Sequence, residues 1–559
     1  MPETTPPVPL TLASRVDQVF PILTSEQIAR LAVHGQVRHV QRGEVLMEAG
    51  EQTPRFFVVT AGHIAIVRPA GVTEELVAVL QPGQFTGELT MLSGRRGFVR
   101  IRAGDPGAVL EVEREHVLAL VQNDSELSDI LLRAFLLRRV ELMAHGFGDV
   151  VLVGSRHDAG TLRIQEFLTR NGHPYSTIDL DRDAGVQELL DRFQISVNDV
   201  PVVICRGEVV LRNPTNGQIA ACLGFNAALD PTQVRDLVIV GAGPAGLSAA
   251  VYSASEGLDV LLIETHAPGG QAGSSSKIEN YLGFPTGISG QELATRAYTQ
   301  AQKFGAQLLI ATRATQLACD RKPYAVAIDH GPRVLARTVI IATGAEYRRL
   351  ALVNLAQFEG VGVYYGATVV EAQMCGGEEV IVVGGGNSAG QAAVFLAQTA
   401  KRVHILIRSG GLAASMSRYL IQRIEETPMI VLQPHTVITA LEGGDHLERV
   451  RWRDTQTGVS ETHAIRHVFA MTGAVPNTRW LTGCVALDAQ GFIKTGADLS
   501  PEDVAAARWP LSRAPHLLET SLPGVFAVGD VRSGNMKRVA SAVGEGSIAV
   551  AFVHQVLHE

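Results

Sequence analysis

The segment DLVIVGAGPAG, residues 236–246, joins a β-branched run to three glycines in the spacing G-x-G-x-x-G. Gly241 permits a tight turn, Gly243 lets the backbone approach a pyrophosphate, and Gly246 lets a helix pack closely on the strand. The helix that follows presents its positive end to the phosphates. Glu264 ends the next apolar run, where a carboxylate accepts a hydrogen bond from a ribose hydroxyl. These residues predict a strand, a loop and a helix that bind a dinucleotide.

A second glycine segment, EVIVVGGGNSAG, follows at residues 379–390, with Gly384, Gly386 and Ala389 in the same spacing. Its next apolar run, VHILIR, ends in Arg408 rather than in an acid. Because a guanidinium attracts the 2′-phosphate that a carboxylate repels, this site favours NADPH over NADH. A solvated charge at a strand end is the alternative interpretation of Arg408, so NADH also stays open.

Length, composition and charge bound the class of protein. At about 150 residues per domain, 559 residues predict three or four domains. Hydrophobic residues make up 46% of the chain and charged residues 19%, which excludes disorder and fibres. The net charge of −8 argues against binding to nucleic acid. Two sites for dinucleotides in one unit instead suggest hydride transfer between two bound cofactors, for which the protein supplies positioning and no acid or base catalyst.

The N-terminal segment MPETTPPVPL has no basic region followed by an apolar run, so we expect a cytoplasmic protein without a secretory signal. The uncharged runs 237–255 and 381–400 are long enough to span a membrane, but each has a glycine cluster after a short β-branched run. We therefore predict strand, turn and buried helix in both, and no membrane partner.

The five cysteines, at positions 205, 222, 319, 375 and 484, lie far apart, and no C-x-x-C occurs. This spacing supports neither a disulfide framework nor a zinc knuckle, and it predicts reduced, buried thiols and no metal site.

The N-terminal third changes pattern twice. Residues 54–113 contain short apolar runs interrupted by Gly or Pro, which predict a small antiparallel barrel or jelly roll. Residues 127–143 have the period of an amphipathic helix that packs on that barrel or on a second subunit. From Asp149 the order is β-α-β-α-β-β, with the second helix running through Phe193, which predicts a small α/β sandwich.

The fold class predicted is a multidomain α/β protein: an N-terminal β jelly-roll barrel, a small α/β sandwich, and a large unit with two Rossmann-like domains. The expected boundaries are 1–148 for the barrel with its C-terminal helix, 149–223 for the sandwich, 224–235 for a linker and 236–559 for the large unit.

From Asp236 to Glu559 the chain resembles the thioredoxin-reductase-like flavoproteins. Seven motifs stand in the order of that family: GAGPAG, GGQ (269–271), IENYLGFP (278–285), ATGA (342–345), GGGNSA, TGAVPNT (472–478) and PGVFAVGD (523–530). The resemblance implies that FAD binds to Gly241, Gly243, Pro244, Ala245, Gly246, Glu264, Gly270, Gln271, Asn280, Thr343, Gly344, Gly529, Asp530, Lys537, Arg538 and Val539. It implies that the pyridine nucleotide binds to Gly384, Gly386, Asn387, Ser388, Ala389 and Arg408. It also implies that an NAD(P)H domain, 353–466, is inserted between the two parts of an FAD domain, 236–352 and 467–559.

Two features depart from that family. Members that reduce thioredoxin carry a C-x-x-C just before the second glycine segment, whereas this chain reads YYGATVVEA, with Gly366 and Val369 at the cysteine positions. Cys375 lies nearby, but one thiol cannot form an internal redox pair. The basic cluster expected for the 2′-phosphate is also reduced to RSGGLAAS, with Arg418 as a possible substitute.

The middle segment resembles a glutaredoxin or thioredoxin fold. Its loop at residues 155–161 has no cysteine, and Pro201 stands at the position of the cis-proline of that fold. A scaffold without its redox cysteines implies a docking or spacer role. Cys205, on an apolar strand, is expected in the core.

Residues 81–103, QPGQFTGELTMLSGRRGFVRIRA, resemble the phosphate-binding cassette of cyclic-nucleotide-binding domains. The resemblance implies that Glu88 accepts from the ribose 2′-OH and that Arg95 or Arg96 pairs with the cyclic phosphate, near the amides around Gly87. The loop between Glu88 and Arg95 is shorter than in the family, so ligand binding and a purely structural domain both stay open. No DNA-binding helix-turn-helix follows.

The favoured hypothesis is an FAD-dependent NAD(P)H oxidoreductase that passes electrons to an unidentified acceptor, such as a protein, without an internal disulfide, and whose N-terminal sensor gates turnover. A non-enzymatic flavin- or nucleotide-sensing regulator is the second hypothesis. The third is a thioredoxin-disulfide reductase that uses Cys375 or a partner's dithiol. A homodimer is expected from the resemblance alone.

Overall fold

A computed structural model describes residues 16–559 except 52–53, 71–72, 146–147, 157, 181–182, 184–195, 197–198, 207–208, 276, 330 and 368. The chain divides into two compact units: residues up to 154, 172–228 and 302–305 form the first, and 155–171, 229–301 and 306–559 form the second. The predicted helix through Phe193 falls largely within 184–195, outside the described residues.

The N-terminal part of the first unit contains seven strands in two antiparallel sheets, ordered β1-β7-β3 and β2-β6-β4-β5. Thr24 caps the second helix in a reciprocal capping box with Gln27. The elements are α1 (Val16–Val19), α2 (Ser25–Ala32), β1 (Gly35–Val40), β2 (Val45–Met47), β3 (Phe56–Ala61), β4 (Ile64–Ala70), β5 (Thr73–Leu80), α3 (Thr90–Ser93), β6 (Arg100–Ala103), β7 (Gly107–Val112), α4 (Arg114–Asn123) and α5 (Ser125–Ala144).

Helix α5 confirms the helix predicted at residues 127–143, and it packs on the strands of its own chain. It is not cleanly amphipathic, because Arg138 and Arg139 lie on its buried face beside the apolar residues. The Phe135 ring lies edge-on to the rings of Phe56 and Phe85, with centroids 6.5 and 6.3 Å apart, and all three side chains are fully buried. Asp124 caps the helix by accepting from the Leu127 amide at 3.0 Å.

The middle segment contributes a four-stranded sheet to the first unit, ordered β11-β10-β8-β9, with β8 and β9 parallel and β10 antiparallel to both of its neighbours. The Val200–Pro201 peptide bond is cis, as expected at this position. Cys205 is fully buried, as predicted. The elements are β8 (Val150–Gly154), α6 (Ala159–Arg170), β9 (Ser176–Asp179), β10 (Val202–Cys205), β11 (Val209–Arg212) and α7 (Asn216–Cys222).

The second unit contains a sheet ordered β14-β13-β12-β17-β16-β15, and a C-terminal strand, β28 (Val525–Ala527), also pairs with β17. The first predicted strand and helix are β12, apolar and buried over its second half, and α8, rich in small residues. The elements are β12 (Val234–Val240), α8 (Pro244–Ser255), β13 (Val260–Ile263), α9 (Gly270–Gly273), α10 (Gly290–Lys303), β14 (Gln307–Leu309), β15 (Ala314–Ala318), β16 (Tyr324–Ile328), β17 (Val334–Ile341) and β18 (Ala345–Tyr347).

A parallel five-stranded sheet, ordered β19-β26-β20-β21-β22, lies between β18 and β27 in sequence, and β18 pairs with β27 where the chain leaves and returns. The elements are α11 (Leu355–Phe358), β19 (Val363–Tyr364), α12 (Val369–Met374), β20 (Glu379–Val383), α13 (Asn387–Leu396), β21 (Arg402–Leu406), α14 (Arg418–Glu425), β22 (Ile430–Gln433), β23 (Thr436–Gly443), β24 (Leu447–Asp454), β25 (Ser460–His463) and β26 (His467–Ala470).

The C-terminal part returns to the first sheet of this unit. Its elements are β27 (Ala474–Pro476), α15 (Pro501–Ala506), β28 (Val525–Ala527) and α16 (Val539–His558), with 3₁₀ turns at Arg479–Leu481, Gly496–Asp498 and Gly529–Val531. By length and composition alone, α16 is one helix in the described chain that could cross a membrane. Helix α16 contacts α8: Ser248 Oγ of α8 donates to Val543 O of α16 at 2.8 Å.

Candidate functional site

The first glycine loop connects β12 to α8 with almost no free space. Gly241 has φ +104°, and a Cβ there would lie 2.3 Å from Ala342 O. A Cβ on Gly246 would lie 1.8 Å from Gly241 O, so the helix contacts the loop backbone directly. The nearest atom to a Cβ on Gly243 is the Gly270 Cα at 3.9 Å. The loop is therefore tight on the inside and open on the side where a pyrophosphate would approach.

Glu264, directly after β13, is almost completely buried and holds two backbone segments together. Its Oε2 accepts from the Ala242 amide at 2.8 Å, and its Oε1 accepts from the His266 amide at 2.9 Å. Each carboxylate oxygen can accept a second hydrogen bond. The same side chain can thus shape the glycine loop and still accept from a ribose hydroxyl.

Two further loops meet the first glycine loop. A Cβ on Gly270 would lie 3.0 Å from the Gly243 Cα, and Gln271 Nε2 donates to the Ala345 carbonyl. Thr343 and Asn477 exchange hydrogen bonds of 2.9 and 3.0 Å. The motifs GGQ, ATGA and TGAVPNT, distant in sequence, therefore converge at the carboxyl end of the sheet.

The remaining residues expected to contact FAD differ in exposure. Gly344 has φ +64° and nothing within 4 Å of a Cβ. Pro244 begins α8 and Ala245 is buried beneath it. Asn280 is exposed, on the loop that follows Ile278.

At the C-terminal end, the Gly529 amide donates to Glu545 Oε2 at 2.7 Å, which ties the Gly529–Val531 turn to helix α16. Burial raises the pKa of the Asp530 carboxyl, although Lys537 opposes the shift. Lys537 and Arg538 are exposed, and Arg538 precedes Val539, the first residue of α16. The amino end of α16 therefore points a second helix dipole toward this edge of the domain.

The second glycine loop joins β20 to α13 in the same manner. A Cβ on Gly384 would lie 2.2 Å from Met471 O, whereas one on Gly386 would find its nearest neighbour at 3.9 Å. Asn387 Oδ1 accepts from the Ser417 amide at 2.7 Å, and Ala389 is fully buried. The other two residues expected to bind the pyridine nucleotide, Ser388 and Arg408, are exposed.

The two dinucleotide domains contact each other through charged side chains. Glu279, on the loop after the first glycine region, pairs with Arg423 of α14 at 2.7 Å and with Lys277 at 3.2 Å. A Cβ on Gly366 would lie 4.0 Å from Ser274 Oγ. Gly366 therefore faces the first dinucleotide domain.

Cys375 does not face this boundary. It is fully buried in the core of the second dinucleotide domain, where burial raises the pKa of its thiol to about 11. A thiol with that pKa is almost completely protonated at neutral pH and is a poor nucleophile. The geometry therefore argues against Cys375 as a substitute for a redox dithiol.

The prediction that all cysteines are reduced thiols is wrong for two of them. Cys319 and Cys484 form a disulfide that joins β15 to the turn after Arg479–Leu481, across 165 residues. Among the described residues, the free cysteines are Cys205, Cys222 and Cys375. The sequence gives no local signal of this pair, because β15 and the turn after Arg479–Leu481 come together only in the folded chain.

The disulfide lies at the end of the sheet opposite to the glycine loop. Cys319 follows Ala318, and the strand register aligns this end of β15 with Ala336 of β17 and Arg235 of β12. Gly241 lies six residues beyond Arg235, which is about 20 Å along the strand. The Cys319–Cys484 disulfide is therefore placed to hold the domain together and not to accept electrons at the dinucleotide site.

In the N-terminal domain, the cassette residues are close together and mostly buried. Glu88 pairs with Arg139 of α5, which sequence reasoning did not single out, and Arg95 is buried. The Arg138 Nη1 donates to Gly87 O at 2.8 Å. The sequence around Arg138 and Arg139 does not indicate that these side chains reach Gly87 and Glu88, which lie 51 residues earlier in the chain.

Two open glycine loops, each at the carboxyl end of a parallel sheet and each followed by a helix, define an oxidoreductase that binds two dinucleotides. The open space at Gly243, Gly344 and Gly386, together with the partly buried carboxyl of Asp530, fits FAD in the first domain and a pyridine nucleotide in the second.

Comparisons with known proteins support the assignment to this class of oxidoreductase. The profile of the family pyridine nucleotide-disulphide oxidoreductase matches residues 235–546, and that of the cyclic nucleotide-binding domain matches residues 37–124. The thioredoxin reductases of Ureaplasma parvum and Bacillus subtilis are each 32% identical to the chain, cover 58% of it, and are themselves covered to 97% and 96%. The crystal structure of Lactococcus lactis thioredoxin reductase in the FR conformation superposes with a TM-score of 0.52 at 27% identity, over 58% of this chain and 100% of that one.

The chain therefore belongs to the pyridine nucleotide-disulphide oxidoreductase family. It is an FAD-dependent, thioredoxin-reductase-like oxidoreductase with an N-terminal cyclic nucleotide-binding domain.

Proposed function

We propose that this oxidoreductase takes electrons from NADPH, in preference to NADH, and delivers them to an acceptor outside its own two dinucleotide domains. The observation that carries the proposal is the position of Gly366, which faces the first dinucleotide domain where related enzymes with a dithiol would have a cysteine. The nearest cysteine in sequence, Cys375, is buried and protonated. A docked protein, a quinone or dioxygen can therefore take the electrons directly.

FAD, when bound, accepts a hydride and releases electrons in pairs or one at a time. The chain's own residues do the positioning. The amino ends of α8 and α13 attract the two pyrophosphates, and Glu264 binds a ribose hydroxyl while it fixes the loop at Ala242. Asp530, whose pKa burial raises, offers a carboxyl to a sugar-like hydroxyl. No acid or base catalyst is needed, because a hydride moves without separate proton transfer.

The middle segment supports an external acceptor. Its four-stranded sheet has one parallel strand pair, β8 with β9, and two antiparallel pairs that both include β10. This arrangement is compatible with a thioredoxin-like scaffold. Residues 155–161, which include the first turn of α6, contain no cysteine, so this scaffold supplies a surface and not a redox pair. A non-enzymatic regulator is less favoured, because the relatives are named as reductases.

We expect NADPH to bleach the visible flavin band faster than NADH when either is mixed with the protein under anaerobic conditions. Arg408 is exposed after β21, where it can pair with a 2′-phosphate. Arg408→Leu is expected to raise the NADPH concentration needed for half-maximal bleaching about tenfold. The NADH concentration needed for half-maximal bleaching should stay the same. Arg402→Leu, at the opposite end of the same strand, is the matched control. Absence of bleaching with both nucleotides would contradict the proposed function, and an equal effect of Arg408→Leu on both would contradict the role of Arg408.

We expect Cys375→Ala to leave the rates of flavin reduction and of reoxidation by a quinone within twofold of the original values. The thiol is buried and protonated, so it does not exchange electrons with the flavin. Stopped-flow absorbance measures both rates. A loss of reoxidation by a disulfide acceptor in this variant alone would show that Cys375 is the missing redox thiol after all.

A further inference from the structure

Glu88, the residue expected to bind a cyclic nucleotide's ribose, already has a partner within the first unit. Arg139 donates from Nε at 2.8 Å and from Nη2 to Glu88 Oε2, and the two side chains are 9% and 12% exposed. The same guanidinium donates from Nη1 to the Gly172 carbonyl at 2.6 Å. Arg139 therefore links the cassette to the middle segment.

Both arginines expected to pair with a cyclic phosphate lie against the chain just after α7. The Arg95 guanidinium carbon is 4.2 Å from the centre of the Phe225 ring, and both side chains are about 6% exposed. A Cβ on Gly224 would lie 3.0 Å from Arg96 Nε. Residues 224–225 thus occupy the space in front of the cassette.

Aromatic rings also pack between the cassette and the residues after α7. Phe98 of the cassette meets the His173 ring edge-on with centroids 4.9 Å apart, and His173 lies 5.5 Å from Phe225. His173 is buried and bonded to Asp149 at 3.1 Å. We refer to His173, Gly224 and Phe225 as the cover.

Several charged groups are buried in this region. Arg139 of α5 pairs with Glu88, Asp149 is bonded to His173 at 3.1 Å, and Arg138 of α5 donates to Gly87 O at 2.8 Å. The Nη2 of Arg138 and the Nε of Arg96 are buried without a hydrogen-bond partner. Burial lowers the pKa of Arg138 to about 9, which reflects the cost of a buried cation. Buried guanidinium N–H groups that lack an acceptor, here on Arg138 and Arg96, favour an anionic ligand.

We propose that the cover occupies the cassette in place of a ligand, and that a cyclic nucleoside monophosphate binds by displacing it. The phosphate would take Arg95 from the Phe225 ring, and the ribose hydroxyl would compete with Arg139 for Glu88. Binding then frees residues 224–225 and the end of α7, which precedes them. Because the cover must leave first, the apparent affinity of the covered protein is reduced by the fraction of molecules that are open.

The test is calorimetric titration of the full chain with cyclic AMP, cyclic GMP, 5′-AMP and inorganic phosphate. We expect Phe225→Ala to lower the apparent dissociation constant of a cyclic nucleotide at least tenfold. Adding Arg95→Leu to Phe225→Ala should abolish binding, because it removes the phosphate partner. Phe304→Ala, which truncates a phenylalanine elsewhere in the first unit, is the matched control and should leave affinity unchanged.

Hydrogen exchange supplies a readout that needs no variant. We expect a saturating cyclic nucleotide to increase amide exchange across residues 222–228 of the unaltered protein. Equal affinity in the unaltered protein and Phe225→Ala, absence of binding by both, or unchanged exchange on saturation would each overturn the proposal. Binding of phosphate or 5′-AMP as tightly as a cyclic nucleotide would also overturn it, since it would show a general anion site. Flavin reduction does not enter these measurements, so they are independent of the proposed oxidoreductase function.

Discussion

Gly246→Ala is expected to give a protein that is purified without its yellow colour. The added methyl group would lie 1.8 Å from Gly241 O, so helix α8 must move by more than an ångström from the glycine loop. Overpacking of this kind, together with displacement of the helix dipole from the pyrophosphate, should weaken FAD binding about 100-fold. Flavin absorbance per polypeptide, and titration of the apoprotein with FAD, measure the effect.

Gly444→Ala is the matched control for that variant. Gly444 lies in the turn between β23 and β24, and nothing lies within 4 Å of a Cβ there. The same chemical change should therefore leave flavin content unchanged. Circular dichroism separates loss of flavin from loss of fold. Full flavin content in Gly246→Ala would mean that the close helix contact is not needed for the dinucleotide site.

Reduction of the Cys319–Cys484 disulfide is expected to lower the free energy of unfolding of the FAD domain by about 2–5 kcal/mol. The bond closes a loop of 165 residues, so its loss releases much conformational entropy in the unfolded chain. Urea unfolding, followed by flavin release with and without dithiothreitol, measures the change. The rate of anaerobic flavin bleaching should stay the same, because the bond lies at the opposite end of the sheet from the glycine loop.

The double variant Cys319→Ser with Cys484→Ser provides the control for reduction. It should be as unstable as the reduced protein and insensitive to dithiothreitol, whereas Cys222→Ser should keep the response of the original chain. Thiol titration of the unfolded, unreduced protein should find three free thiols among five cysteines. Five free thiols, or stability independent of dithiothreitol, would refute the bond.

The chain belongs to the pyridine nucleotide-disulphide oxidoreductase family, but its Cys319–Cys484 disulfide is distant from the glycine loop. Its one bond between cysteines stabilises the FAD domain, and Cys375 is buried. Two residues differ from the thioredoxin-reducing pattern: Gly366, which faces Ser274 of the first dinucleotide domain, and Val369, the first residue of α12. Under the proposed function, electrons therefore leave the flavin without an internal dithiol.

The local elements of the dinucleotide domains were predictable because their signals are local. A β-branched run followed by closely spaced glycines allows one main arrangement, since a Cβ at Gly241 or Gly246 would collide with backbone. For the same reason the runs 237–255 and 381–400 were recognisable as strand, turn and helix despite their apolar composition. The helical period of the apolar residues in α5 likewise needed no tertiary information, but the burial of Arg138 and Arg139 on the same face was not predictable.

The sequence by itself therefore determined the two glycine loops, the family, and the absence of a C-x-x-C. Only the tertiary structure decided which distant side chains meet: Cys319 with Cys484, Glu88 with Arg139, and Arg95 with Phe225. The physical reason is that backbone turns and helix periods depend on neighbouring residues. Such distant pairs depend instead on strand register and helix placement, and these are fixed only when the whole core packs.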